Sequence, residues 1–296
     1  MKGQLKKIGT IFKRKSFISR KTRLIFIRVY ERLMAVLTWV AASITIGTLI
    51  FIVGFILIKG IPYIKPSLFS LAYNSENVSL MPAMISTVIM ITISLLIAVP
   101  LGLFAAIFLV EYARRGNKII GMIQMTTETL SGIPSIVYGL FGLLFFVTFL
   151  GWGFSVLAGA FTLSIMILPL IMRSSEEALK AVPDTYREGA FGLGAGKLRT
   201  VFRIILPSAM PGILAGIILS IGRIVGETAA LIYTAGTVAQ IPIDPMQSAR
   251  TLSVHMYALS SEGLHTNEGY ATAVILLLVV ILINTVSAKI AKRIGG

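Results

Sequence analysis

Three stretches of the chain hold side chains able to act on a charged ligand or a partner. The first, EGAFGLGAGKLRTVFRIILP from Glu188 to Pro207, joins closely spaced glycines to a lysine, the composition of a loop that cradles phosphate. The second, GRIVGETAAL from Gly222 to Leu231, sets Arg223 one helical turn before Glu227 in uncharged surroundings. The third, LSGIPSIVYGLFG from Leu130 to Gly142, combines a proline with glycines and serines at helical spacing.

A Walker loop needs glycine, four residues, glycine and lysine, then a serine or threonine whose hydroxyl holds magnesium. Phe191 stands where the first glycine belongs, and Leu198 takes the place of the hydroxyl. A dinucleotide fingerprint also fails, because Gly192 and Gly194 are followed by Lys197 where a third glycine belongs, with no strand before them. The chain itself is therefore expected to bind no nucleotide. The stretch reads instead as a short helix, with Pro183 suited to its first turn and Gly194 to a left-handed terminating position. Tyr186, Ala190 and Leu193 then fall on one apolar stripe that needs a surface to cover it. That surface is a partner protein or the chain's own helices. Gly189 costs such a helix about 1 kcal/mol relative to alanine.

Arg223 falls near the middle of a long apolar segment, where a lone arginine costs about 2.5 to 3.5 kcal/mol even on the lenient insertion scale. It either neutralises itself against Glu227 or faces a wet pathway. A guanidinium fork suits a tetrahedral oxyanion, and a carboxylate nearby would weaken the hold enough for the ion to leave. Gly132, Ser135, Gly139 and Gly142 share one helical face, which serves as a packing seam, a pathway lining, or both. Ser131 and Ser135 are the candidate pathway hydroxyls. Pro134 is expected to bend this helix, freeing a carbonyl that a neighbour or water must satisfy.

The elements that position these groups follow from composition: 296 residues, 56% hydrophobic and 13% charged, describe a membrane protein. Six spans are expected, at Leu33 to Ile58, Pro82 to Val110, Leu130 to Leu150, Ser155 to Met172, Pro211 to Ala235 and Tyr270 to Ala288. The first is too long and too far from Met1 for a cleavable signal, so it reads as a retained anchor. Without cysteine there is no disulfide or thiolate chemistry.

The formal charge of +15 is sided. Basic residues crowd the arm from Lys2 to Arg32, the loop with Arg114, Arg115 and Lys118, the loop from Arg173 to Arg203, and the tail with Lys289, Lys292 and Arg293. The opposite side holds only Lys59, Lys65 and Arg250. This asymmetry places both termini in the cytoplasm. It divides the chain into a basic arm, 1–32, and a membrane domain, 33–296, with a cytoplasmic loop at 173–210 and an external segment at 236–268. The arm fits an anionic lipid surface rather than nucleic acid, and Phe12, Phe17 and Phe26 suit an interfacial helix. In the external segment His255 and His265 lack a metal-binding register and read as ordinary loop residues. Asp244, Arg250, Glu262 and Glu268 there could form a docking platform. No acyl- or phosphoryl-transfer constellation stands out, so the chain does not read as an enzyme.

The spacing of Glu188-Gly189-Ala190, three residues, Gly194, nine residues, Ile204, one residue and Leu206-Pro207 resembles the cytoplasmic "EAA" loop of bacterial ABC-importer permeases. Gly189 is the one departure, replacing the first alanine. The SGIPSIVYG and GRIVGETAAL stretches are similar to signatures of the phosphate importer permeases, and the short first external segment looks like the PstA type. The resemblance implies an all-α polytopic permease of the type I (MetI-like) fold in a bacterial cell membrane. It also implies that Glu188, Gly189, Ala190 and Gly194 contact an ATPase subunit. ATP and magnesium then belong to that partner, and this chain needs no cofactor of its own. The implied assembly holds a PstC-type second permease, two ATPase subunits and an extracytoplasmic phosphate-binding protein. Another oxyanion importer, for sulfate, molybdate or phosphonate, would share the cytoplasmic loop. An ion-coupled secondary transporter would instead show paired broken helices, of which the sequence displays one clear break.

Overall fold

A computed structural model describes residues 2–113 and 118–295, with side chains for 25, 27, 28, 30–113 and 118–289. The basic side chains from Lys2 to Arg23, the aromatics Phe12, Phe17 and Phe26, the pair Arg114 and Arg115, and Lys292 and Arg293 lie outside the described residues. Most of the described backbone is helical, and its long apolar runs make long helices because a chain in hydrocarbon must satisfy its amides internally.

The chain divides into two units, Met1–Phe55 and Ile56–Gly296. The first unit consists of residues of helix α1, Lys2–Gly60, whose described side chains are almost all exposed, Trp39 and Phe51 among them. Apolar exposure all round a helix is what hydrocarbon demands.

The second unit holds α2 (Met81–Ile107), α3 (Lys118–Ser131), α4 (Ser135–Gly142), α5 (Val156–Lys180), α6 (Asp184–Gly192), α7 (Lys197–Thr200), α8 (Leu206–Gly226), α9 (Ala229–Ile232), α10 (Leu252–Glu262) and α11 (Thr266–Gly295). Single wide turns extend three of these helices: Phe108–Tyr112 after α2, Leu143–Phe149 after α4 and Val201–Ile205 before α8. The most enclosed long helix is α5, packed on α2 along one side and on α8 along another, while α11 lies on α8 and α10. Leu163, Met166, Ile167 and Ile171 of α5 meet Met90 and Ala98 of α2 and Ile224 at the end of α8.

Five helices are long and apolar enough to cross a bilayer: Tyr30–Tyr63, Met81–Tyr112, Val156–Lys180, Lys197–Gly226 and Thr266–Lys289. The pair Lys118–Ser131 and Ser135–Phe149, bent by 99°, makes the sixth when counted as one span. Two expected spans are therefore corrected. The third does not run unbroken from Leu130, because the chain turns sharply ahead of Pro134. The fifth does not reach Ala235, because Glu227 takes an extended conformation (φ −74°, ψ 127°) and ends α8 at Gly226. Two broken elements are present where the sequence displayed one.

The ends of α5 define two distinct regions separated by about 37 Å of helix. At its C-terminus, Lys180 is followed after Ala181, Val182 and Pro183 by α6. At its N-terminus the amides of Ser155, Val156 and Leu157 bond to the carbonyls of Thr234, Gln247 and Pro245. The segment that carries α10 thus forms a cap at the end opposite α6.

Candidate functional site

Pro183 precedes α6 as its N-cap rather than sitting in its first turn, and Asp184 opens the helix with the acidic side chain that a helix N-terminus favours. Gly194 has φ +78°, the left-handed conformation expected of it. The apolar stripe is not as expected. Ala190 is buried while Tyr186 is half exposed and Leu193 is 91% exposed, so the three do not form one outward surface. The reason is Arg187, which turns the face holding residues 187 and 190 towards the chain's own helices. Its Nη2 lies 2.7 Å from Glu111 Oε1, its Nε 3.1 Å from the same oxygen, and it donates to the carbonyls of Val182 (2.8 Å) and Leu179 (3.0 Å).

One guanidinium thereby binds α6 to the last turn of α5 and to the end of the α2 span. Both partners of the ion pair are largely enclosed, so removing either one would leave the other as an uncompensated buried charge. Lys197 Nζ sits 4.8 Å from the centre of the neighbouring Tyr112 ring, fastening α7 to the same place. The outward surface carries Glu188, Gly189 and Gly194 together with the exposed apolar side chains of Tyr186, Phe191, Leu193, Leu198 and Phe202. Sequence reasoning passed over Glu111 and counted Arg187 only as a topological charge. Their separation of 76 residues leaves no local spacing by which to find the pair.

Arg223 occupies the last turn of α8, where the partial negative charge of the helix C-terminus favours a cation. It lines an apolar cleft of about 540 Å³ with Leu170, Ala215, Ile218, Leu219, Gly222 and Asn284. Glu227 does not pair with it. Among the described residues no carboxylate lies within 4.0 Å of the Arg223 guanidinium. The buried Glu227 carboxylate instead accepts the Ala230 amide (3.0 Å) at the start of α9, and its backbone carbonyl accepts from Ser253 Oγ (2.6 Å). The extended backbone at Glu227 explains the separation, since it removes the helical register that would have stacked the two side chains.

At the other break, Gly132 and Pro134 are exposed in the turn between α3 and α4, so Gly132 leaves the face predicted to hold Ser135, Gly139 and Gly142. Ser131 donates to the Glu128 carbonyl (2.7 Å) and Ser135 is half-buried in the first turn of α4. The carbonyl that Pro134 cannot bond is that of Leu130, which accepts instead from the Ile133 amide (3.1 Å) and from Tyr138 Oη (2.7 Å). Replacing Tyr138 by phenylalanine removes one of that carbonyl's two donors and should lower stability by about 0.5 to 1.5 kcal/mol in denaturant titration, an unchanged midpoint counting against a role for the hydroxyl. Gly139 and Gly142 form a packing seam: a methyl on Gly139 would lie 2.7 Å from Ala230 Cα, and one on Gly142 would overlap the Thr162 hydroxyl. Helix α4 therefore packs on α9, and the two broken elements meet.

The cap corrects two further expectations. His255 is a fully buried residue of α10, not a loop residue, and Arg250 is 5% exposed and cannot belong to an exposed platform. Asp244 and Glu262 are exposed there, and Glu268 lies 3.8 Å from His265. Burial first, and then the Arg250 charge, push the His255 imidazole down to about 3, so it is neutral at pH 7. Among the described residues no cluster of three or more His, Asp or Glu could hold a metal ion.

With this geometry in hand, likeness to known proteins identifies the architecture. Residues 98–295 match the family described as binding-protein-dependent transport system inner membrane component. The chain is 38% identical over 206 residues to the probable ABC transporter permease protein YqgI of Bacillus subtilis, covering 63% of this chain and 70% of that one. It is 33% identical over 274 residues to the phosphate transport system permease protein PstA of Pasteurella multocida, covering 87% and 92%. A chain of the MetNI methionine ABC transporter, in an inward-facing conformation, superposes with a TM-score of 0.55 at 21% identity, over 71% of this chain and 91% of that one. The helical architecture is thus that of the type I importer permeases. The chain belongs to the family of binding-protein-dependent transport system inner membrane components and is a multi-pass permease subunit of an ABC importer.

Proposed function

We propose that the chain is the PstA-type permease of an ATP-driven importer of inorganic phosphate. A PstC-type permease is its membrane partner, two ATPase subunits hold ATP and magnesium, and an extracytoplasmic binding protein delivers phosphate to the cap. The observation that carries the substrate reading is Arg223, a cation in the last turn of α8 that opens on a cleft without a carboxylate partner among the described residues. A planar fork with a full charge suits a tetrahedral oxyanion, and the share of PstA permeases among the relatives favours phosphate. Ser131 and Ser135 lie at the neighbouring break and would serve a hydrated ion on its way. Glu227 acts on this route indirectly, by holding the break that frees Arg223.

The coupling reading rests on the outward surface of α6 and its loop. Glu188, Gly189 and Gly194 with the apolar side chains around them are the docking face, whereas Ala190 supports it from beneath. Closure of the ATPase pair would push this face, and the Arg187 clamp would pass the displacement to the α2 span and α5 together.

Uptake of radiolabelled phosphate into proteoliposomes holding the full complex tests both readings. Arg223→Gln should lower uptake about tenfold or more, equivalent to about 1.4 kcal/mol, while ATP hydrolysis persists. Glu188→Lys should lower uptake and hydrolysis together in a complex that still assembles. Undiminished uptake by Arg223→Gln would remove the substrate argument and leave coupling intact. Stronger competition by sulfate than by unlabelled phosphate would assign another oxyanion.

A further inference from the structure

Arg250 lies in the cap and is 5% exposed, yet its Nε and Nη2 have no hydrogen-bond partner. These two nitrogens form one edge of the guanidinium, the edge whose parallel N–H bonds receive two oxygens of a single oxyanion. One flat face lies against Tyr73, the guanidinium carbon standing 4.7 Å from the centre of its ring. The Nε and Nη2 edge is enclosed and unfilled.

Among the described residues no acid fills it. Among the described residues no carboxylate lies within 4.0 Å of Arg250, and the Glu227 carboxylate is engaged with the Ala230 amide. Beside Arg250 lies His255, fully buried, with neither ring nitrogen hydrogen-bonded and its ring set edge-on to Tyr73 at 6.2 Å. The Val78 carbonyl acts on that imidazole from outside hydrogen-bond geometry. A neutral imidazole offers one donor and one acceptor, and a protonated phosphate offers the complement of both. The next residues lead back to the broken fifth span. Thr251 Oγ1 is 3.1 Å from Ser253 Oγ, which donates to the Glu227 carbonyl just beyond the helix end that bears Arg223.

We propose that Arg250 forms an oxyanion subsite in the cap, its Nε and Nη2 edge receiving two oxygens of the transported ion, with His255 as the neighbouring donor and acceptor. The subsite rests on the phosphate-importer reading for its ligand and extends the route from Arg223 to the end of the molecule opposite the docking face. A bound water would leave a buried cation without a counter-charge; a tetrahedral oxyanion supplies both the charge and two acceptors.

The test uses the assembled complex with inorganic phosphate as probe, reading uptake in proteoliposomes and thermal unfolding in detergent with phosphate or chloride at equal ionic strength. In the wild type phosphate should raise the unfolding midpoint. Arg250→Met should abolish that rise and lower uptake about tenfold, while Arg250→Lys, which keeps the charge and loses the fork, should fall between. If Arg250→Met transports normally and unfolds at a higher temperature, the arginine is a buried charge that no ligand needs, and the proposal fails. It fails equally if Arg250→Met releases the second permease on affinity purification, because a partner carboxylate then fills the edge. Should the wild type carry sulfate in place of phosphate and Arg250→Met abolish that uptake, the subsite stands and the phosphate assignment falls.

Discussion

Arg187→Met is expected to destabilise the permease by about 3 to 5 kcal/mol and to reduce phosphate uptake to background, because it leaves Glu111 enclosed without its counter-charge. The same change removes the donor from the Val182 and Leu179 carbonyls, so α6 loses its ties to α5 as well as to the α2 span. Lysine cannot replace this arginine, for one ammonium cannot span a carboxylate and two carbonyls on separate elements. Adding Glu111→Gln should recover part of the lost stability by removing the stranded charge, but not the uptake, since the clamp stays open. Denaturant titration of the two single variants and the double variant, with uptake beside each, separates these effects. A wild-type midpoint and wild-type uptake in Arg187→Met would show that α6 moves without the clamp.

Gly142→Leu should cost about 3 kcal/mol or prevent assembly, because its side chain would enter space held by α5 and by the residue two places beyond α9. A Cβ there would overlap the Thr162 hydroxyl and stand 2.6 Å from Thr234 Cγ2. Both neighbours are buried, and each hydroxyl is bonded back to its own helix, Thr162 to Ala158 and Thr234 to Ala230, so neither can swing aside cheaply. Shortening one of them, as Thr162→Ala, should restore part of the loss. Normal expression and an unchanged melting profile for Gly142→Leu alone would mean that α4 does not sit this close.

The seam shows how far local pattern reached. Gly139 and Gly142 were legible because two glycines on one face of an apolar helix permit close approach wherever they fall. Gly132 was misplaced with them, since a face is defined only while the helix continues, and the chain turns by 99° between α3 and α4. The Arg223 and Glu227 register failed for the same reason. One extended residue at Glu227 decided between the two alternatives the sequence left open, a self-neutralised pair and an unpaired cation, and turned the carboxylate to the start of α9.

The loop that holds α6 followed a similar division. Its basic residues, the left-handed Gly194 and its apolar side chains could be read directly, because charge, helix termination and hydropathy are properties of a residue and its near neighbours. The direction in which α6 faces could not, because a contact with a residue 76 positions away selects it.

The sequence by itself determined that this is a helical, multi-pass membrane protein with a glycine-rich loop bearing apolar side chains and a few isolated ionisable groups, since hydrophobic length and charge placement are set locally. Only the tertiary structure decided which of those groups are paired. Arg187 found Glu111, Glu227 turned to a helix start, and Arg250 was enclosed with its edge unfilled. Pairing across tens of residues depends on how helices pack, and that geometry is written in the whole core rather than in any one stretch.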